Sequence, residues 1–113
     1  MHEMGLAMRI VEIALAETEK AKASRLCEVE VEVGEVAGVL REALEFCLPA
    51  AAHGTLAEQA VFTIVAVPGQ GHCQACQRQV AVSAFPAQCP ECGGFGVTIT
   101  AGTELRLRSI NVE

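Results

Sequence analysis

Apolar residues recur along the chain first with the period of a helix and then with the period of a strand. Between residues 4 and 22, Leu6, Ile10, Ile13 and Ala14, with Met8, Val11 and Leu15, cover a broad arc, while Arg9, Glu12, Glu19 and Lys20 fall on a narrow polar stripe. That spacing predicts an amphipathic helix. Gly5 is a poor helix former, so the first turn is expected to be loose. Residues 26 to 33 then alternate without a fault, with Cys27, Val29, Val31 and Val33 facing one way and Glu28, Glu30 and Glu32 the other. This is the pattern of a strand with one buried and one wet face. The glutamate row is read as a solvated sheet face rather than a cation site.

Gly34 and Gly38 bracket a turn. A second helix is expected from about 39 to 53, with Val39, Leu40, Ala43, Leu44, Cys47 and Leu48 as its apolar side and Gly54 as its C-terminal cap. Pro49 lacks a helical N–H and disfavours helix at Leu48, so a kink or a break is expected there. Residues 60 to 67 predict a second strand, ended by Pro68-Gly69, and residues 104 to 112 a third. In the third, Leu105 and Leu107 alternate with Arg106 and Arg108, and then Ser109 shifts the phase to Ile110 and Val112. A bulge or a change of exposed face would account for the shift. Arg106 and Arg108 are expected to share the wet face with the glutamate row, where cross-strand pairs are modestly favourable. The elements add up to an α+β fold: two helices packed on a three-stranded mixed sheet, with a cysteine-bearing module inserted before the last strand. Residues 1–68 plus 102–113 form the α/β domain of this reading, and 69–101 the module.

Composition narrows the function. With 51% hydrophobic residues the chain is not a disordered linker. Its net charge of −6, with every acid a Glu, argues against nucleic acid as a partner. All 4 aromatics are Phe, too few for a platform that stacks bases. No run approaches the length of a membrane span, and Arg9 and Glu12 interrupt the apolar stretch that a secretory leader would need. The protein is therefore expected in the cytoplasm, without membrane contact. No convincing nucleophile, base and oxyanion set is present, so an enzyme is not expected.

The 6 Cys in so short a chain need a chemical explanation. Cys27 and Cys47 stand alone in apolar patterns and read as small buried hydrophobes. Cys73, Cys76, Cys89 and Cys92 form two CxxC pairs. Each pair places two thiolates on one tight turn, and two such knuckles make a tetrahedron. Four thiolates leave no open coordination position, so the metal read here is a structural Zn(II), with iron in a rubredoxin-like site as the chemical alternative. In the second knuckle, Cys89-Pro90-Glu91-Cys92-Gly93-Gly94, the proline fixes the turn and the glycines are expected to bring N–H groups near sulfur. The module has few large apolar side chains, among them Val80, Val82, Phe85, Phe95, Val97 and Ile99. A tetrathiolate centre contributes on the order of 10–16 kcal/mol, the scale such a segment needs. His72, beside Cys73, is read as exposed, although it could serve as a ligand for another group.

The first three residues offer a second metal site. A free amine at Met1, the amide nitrogen of His2 and its imidazole can close two fused chelate rings. Completed by a donor from Glu3 or elsewhere, this set suits square-planar Ni(II) or Cu(II). His2 is bulky enough that Met1 is expected to persist and supply the amine.

These features together resemble the HypA/HybF nickel chaperones of [NiFe]-hydrogenase maturation, and the resemblance runs over essentially all 113 residues. It rests on Met1-His2-Glu3, the turn from Val33 to Val39, Glu42-Ala43-Leu44, Gly54 to Glu58, Val67-Pro68-Gly69, both CxxC knuckles, and Gly102-Thr103-Glu104-Leu105 into Ile110-Asn111-Val112-Glu113. The resemblance implies that one nickel is bound through Met1, His2 and Glu3, with His2 essential, and that a structural zinc is held by Cys73, Cys76, Cys89 and Cys92. It implies delivery to a hydrogenase large subunit together with a HypB-type GTPase, service to urease maturation in some bacteria, and a monomer or homodimer. Two residues depart from the family pattern: Gly5, where the family usually has Ser, and Pro49, where the family usually continues the helix. Neither is a proposed ligand. The competing reading is a zinc-ribbon adaptor with no nickel role, which would carry a basic strip on the module; Arg78 is its one cation. A thiol redox role would need reactive cysteines, which a closed zinc site ties up.

Overall fold

A computed structural model of the chain describes residues 3–113. The element order is α1 (Glu3–Lys20), β1 (Leu26–Gly34), α2 (Arg41–Ala52), β2 (Val61–Val67), β3 (Gln70–Cys73), β4 (Arg78–Ala81), β5 (Val97–Ala101) and β6 (Leu105–Val112). Two compact units emerge, one of 1–32, 39–65 and 106–113, the other of 33–38 and 66–105. By this division the second unit is wider than the 69–101 segment that the sequence marks off.

In the first unit α1 and α2 pack against each other. α1 has Glu3 in its first turn and Lys20 in its last, both favourable against the helix dipole. Ala7, Ile10, Val11 and Ala14 are buried, but Met8 is 58% exposed and lies off the core arc assigned to it. Buried Thr18 satisfies its hydroxyl by donating to the Ala14 carbonyl at 2.8 Å. The helix ends in a pair of reversed hydrogen bonds, Lys22 N–H to Glu19 O and Ala23 N–H to Thr18 O, with Lys22 at φ 54. A lysine thus occupies the left-handed position that such a stop usually gives to glycine.

α2 runs through Pro49 without a break, so of the kink or break expected there the break does not occur. Pro49 is exposed and the helix ends three residues later at Ala52, so few turns depend on the missing N–H. Gly54 follows the C-cap His53 at φ +77, in the place expected of it, and its N–H donates to Glu58 Oε2 at 2.8 Å. The apolar side of α2 is narrower than the sequence implies: Leu44, Leu48 and Ala52 are buried, whereas Leu40 is 67% exposed.

The sheet has the order β2-β1-β6. Reciprocal bonds between Arg25 and Glu113 place the start of β1 beside the end of β6, so this pair is antiparallel. Glu35, one residue past the end of β1, donates its N–H to the carbonyl of Val67, the last residue of β2, which marks that pair as parallel, as a crossover through α2 requires. The sheet is therefore mixed. Val29 and Val31 are buried, and the glutamates of β1 face the arginines of β6: Arg106 Nε lies 2.8 Å from Glu32 Oε2, and Arg108 Nε 3.8 Å from Glu30 Oε2. The expected change of phase in β6 is present. Arg108 and Ser109 are both exposed and both reach Glu30, and the half-buried role passes from Leu107 to Ile110.

The second unit contains a sheet of order β4-β3-β5, in which β3 pairs antiparallel with both neighbours. The sequence pattern did not reveal these short strands. Val80, Val82, Ala87, Cys73 and Cys89 form its buried cluster, while Phe85 and Phe95 are exposed and contribute nothing to it. Three glycines let backbone segments meet in this unit. A Cβ on Gly34 would lie 1.9 Å from Gly102 O, one on Gly69 2.0 Å from Val82 O, and one on Gly102, at φ +99, 2.5 Å from Gly69 Cα.

Candidate metal centre

The first knuckle is the turn of a hairpin. Cys73 ends β3, pairs with Arg78 at the start of β4, and accepts at its carbonyl the N–H of Gln77, which closes the turn at φ 56. The second knuckle closes through two backbone bonds, Gly93 N–H to Cys89 O and Cys89 N–H to Gly94 O. Gly93 takes φ +73 there. Its own N–H goes to a carbonyl, while other N–H groups of the knuckle come near sulfur as expected. The N–H groups that do reach sulfur belong to Cys76, toward Cys73 Sγ at 3.4 Å, and to Glu91 and Cys92, toward Cys89 Sγ at 3.4 and 3.5 Å. An ion pair between Arg78 Nη1 and Glu91 Oε2 at 2.8 Å joins the two knuckles on their exposed side.

The four sulfurs of Cys73, Cys76, Cys89 and Cys92 lie within 4.8 Å of one another. Cys73 Sγ is 3.8 Å from Cys92 Sγ, and Cys76 Sγ is 3.9 Å from Cys89 Sγ. A tetrahedron with metal–sulfur bonds of about 2.3 Å has edges of about 3.8 Å, so the spacing suits a tetrathiolate ion such as zinc. Cys73 and Cys89 are buried, Cys76 is half-buried and Cys92 is exposed, so one side of the site reaches solvent.

The electrostatics are uneven. The Cys76 thiol is pushed up to about 12, first by its hydrogen bond with Cys92 and then by burial and the remaining thiols. Cys89 is drawn down to about 7, first by the Cys92 N–H and, against the effect of burial, by the Glu91 N–H. A thiolate therefore forms more readily at Cys89 than at Cys76, and an ion is needed to hold Cys76 ionised at neutral pH.

Met1 and His2 lie outside the described residues. Glu3 opens α1, and its Oε2 accepts the backbone N–H of Leu40 at 3.2 Å, a contact no local pattern announces. His72 is half-buried in β3 and is not part of the sulfur cluster. Cys27 and Cys47 are half-buried and also stand outside it. Among the described residues, no helix is long and apolar enough to cross a membrane.

Comparison with known proteins places this arrangement. A family model described as "Hydrogenase/urease nickel incorporation, metallochaperone, hypA" matches residues 1–112. The hydrogenase maturation factor HypA of Geobacter sulfurreducens is 42% identical over 113 residues, covering 100% of both chains. That of Chlorobaculum tepidum is also 42% identical over 113 residues, with the same full coverage. Among solved structures, the solution structure of the Ni metallochaperone HypA from Helicobacter pylori has a TM-score of 0.70 at 23% identity, covering 99% of this chain and 97% of that one. A second HypA solution structure has a TM-score of 0.70 at 21% identity, covering 99% and 96%. At these identities the structural likeness speaks for the fold.

Proposed function

Because the chain belongs to the HypA family of hydrogenase and urease nickel-incorporation metallochaperones, we propose that it carries Ni(II) as cargo on Met1, His2 and Glu3. In this reading the α/β domain of 1–68 plus 102–113 holds the nickel, and the module of 69–101 holds a structural Zn(II) through Cys73, Cys76, Cys89 and Cys92. The nickel passes to a hydrogenase large subunit in concert with a HypB-type GTPase, and urease maturation proteins are further clients. The protein works in the cytoplasm as a monomer or homodimer and catalyses no reaction.

The observation that carries the reading is the division of donors. The sulfur cluster fills all four positions of a tetrahedral ion and leaves none for cargo. A cargo ion must be bound and then given up, which a closed tetrathiolate centre does not favour. The nitrogen-rich set at the first residues suits Ni(II), whereas the thiolates suit zinc.

The test is a Ni(II) titration of the native protein, of His2→Ala, and of a variant with one residue added before Met1. Both changes are expected to abolish tight nickel binding while one zinc per chain remains. Equal nickel binding in all three would sink the site and favour the adaptor without a nickel role.

A further inference from the structure

We infer that the Glu3 carboxylate is a positioning group, tethering the first turn of α1 to the start of α2 so that the nickel-carrying residues are held in place. The inference rests on the nickel reading above and assigns one of its three residues a distinct part. Leu40 is the N-cap of α2 at φ −78 and ψ 111, and no side chain of its own caps the helix. The first N–H groups of a helix lack intrahelical partners and favour a negative charge. Glu3 Oε2 answers that need by accepting the Leu40 N–H at 3.2 Å, from a position 37 residues earlier in the chain. The capping group of α2 is thus supplied by the residue that opens α1.

Gly5 gives the tether its importance. It lies in the same turn as Glu3 and lowers the intrinsic helix tendency there. A turn of this kind frays unless something outside it holds it. The deeper turns are secured by the packing of α1 against α2, where Ala7, Ile10 and Leu44 of the two helices are buried. Glu3 itself is half-buried, so its bond to Leu40 extends that hold to the last turn before the metal-carrying residues. A segment already held in place loses less conformational freedom when it takes up its ion, and binds it more tightly. One carboxylate oxygen occupied by Leu40 makes the Glu3 side chain a support for the site.

The experiment measures Ni(II) affinity by competition with a chromophoric chelator, using zinc-loaded native protein, Glu3→Ala, Glu3→Gln, Leu40→Pro and the double variant Glu3→Ala/Leu40→Pro. Proline fits the φ of Leu40 and removes its N–H; the side chain it replaces is exposed, and no candidate ligand is altered. Glu3→Ala and Leu40→Pro are each expected to weaken nickel binding about threefold to thirtyfold, the range for loss of a helix cap. Glu3→Gln keeps an accepting oxygen and is expected to recover part of the loss seen in Glu3→Ala. The double variant is expected to be no weaker than the poorer single, because both remove one bond. Native affinity in Leu40→Pro, or equal losses in Glu3→Gln and Glu3→Ala, would overturn the tether. His2→Ala measured alongside separates the two levels: unchanged nickel binding there overturns the site itself, whereas loss there with a native Leu40→Pro overturns only the tether.

Discussion

Stripping the metal from the four cysteines should melt the second unit and leave the first folded. The buried cluster of that unit is Cys73, Val80, Val82, Ala87 and Cys89, so two of its members belong to the proposed metal site. Val80 and Val82 contribute about 1.5–3 kcal/mol each by burial. A tetrathiolate zinc contributes on the order of 10–16 kcal/mol. The metal thus outweighs both valines together by several kcal/mol, and Phe85 and Phe95 cannot compensate because they are exposed. The interior of the first unit, with Ile10, Val11, Leu26, Val29, Val31, Leu44, Leu48 and Ile64, contains no ligand of the centre. Amide hydrogen exchange before and after chelation is the assay, with metal content checked by emission spectrometry. Amides of β3 and β4 should lose protection, while those of Ile10, Val11 and Leu44 keep theirs. Unchanged protection of β3 and β4 in protein shown to be metal-free would refute the claim that thiolate–metal bonds hold the unit. Joint loss in both units would refute the claim that the first stands on its own core.

Two further outcomes follow from the same geometry. Zinc binding must displace the thiol protons, so zinc affinity should fall steeply between about pH 8 and about pH 6, read by competition with a chelator; a flat profile would contradict ligation by thiolates. Gly102→Ala should destabilise the zinc-loaded protein by about 2–6 kcal/mol in denaturant unfolding, combining left-handed strain with a backbone collision. The collision is with Gly69 Cα at 2.5 Å. A loss under about 0.5 kcal/mol, typical of a neutral surface change, would mean that the two segments do not meet so closely.

Much of the molecule is legible in local pattern. The period of α1, the alternation of β1 and the phase change at Ser109 each record which side of an element meets the interior, and a single element is long enough to show it. The pairing of Glu30 and Glu32 with Arg106 and Arg108 was readable too, because like-facing rows of opposite charge suit neighbouring strands. β3, β4 and β5 were not, since strands of 4 or 5 residues whose backbone follows the knuckles carry too few side chains to set a period. Leu40 and Met8 misled for a related reason: a helical wheel states which residues share a side, but the width of the neighbour decides how many of them are covered.

The metal centre divides along the same line. By itself the sequence determined which four cysteines come together, because CxxC fixes two thiols on one turn, and it determined the family through motifs spread over the whole chain. Tertiary structure alone decided that Cys89 ionises more readily than Cys76, since that depends on which N–H groups the second knuckle turns toward Cys89. It also decided where Gly34, Gly69 and Gly102 let three strands of backbone touch, and that Glu3 reaches Leu40. Contacts between residues far apart in the chain leave no period and no fixed spacing, so they come into being only when the fold brings the partners within bonding distance.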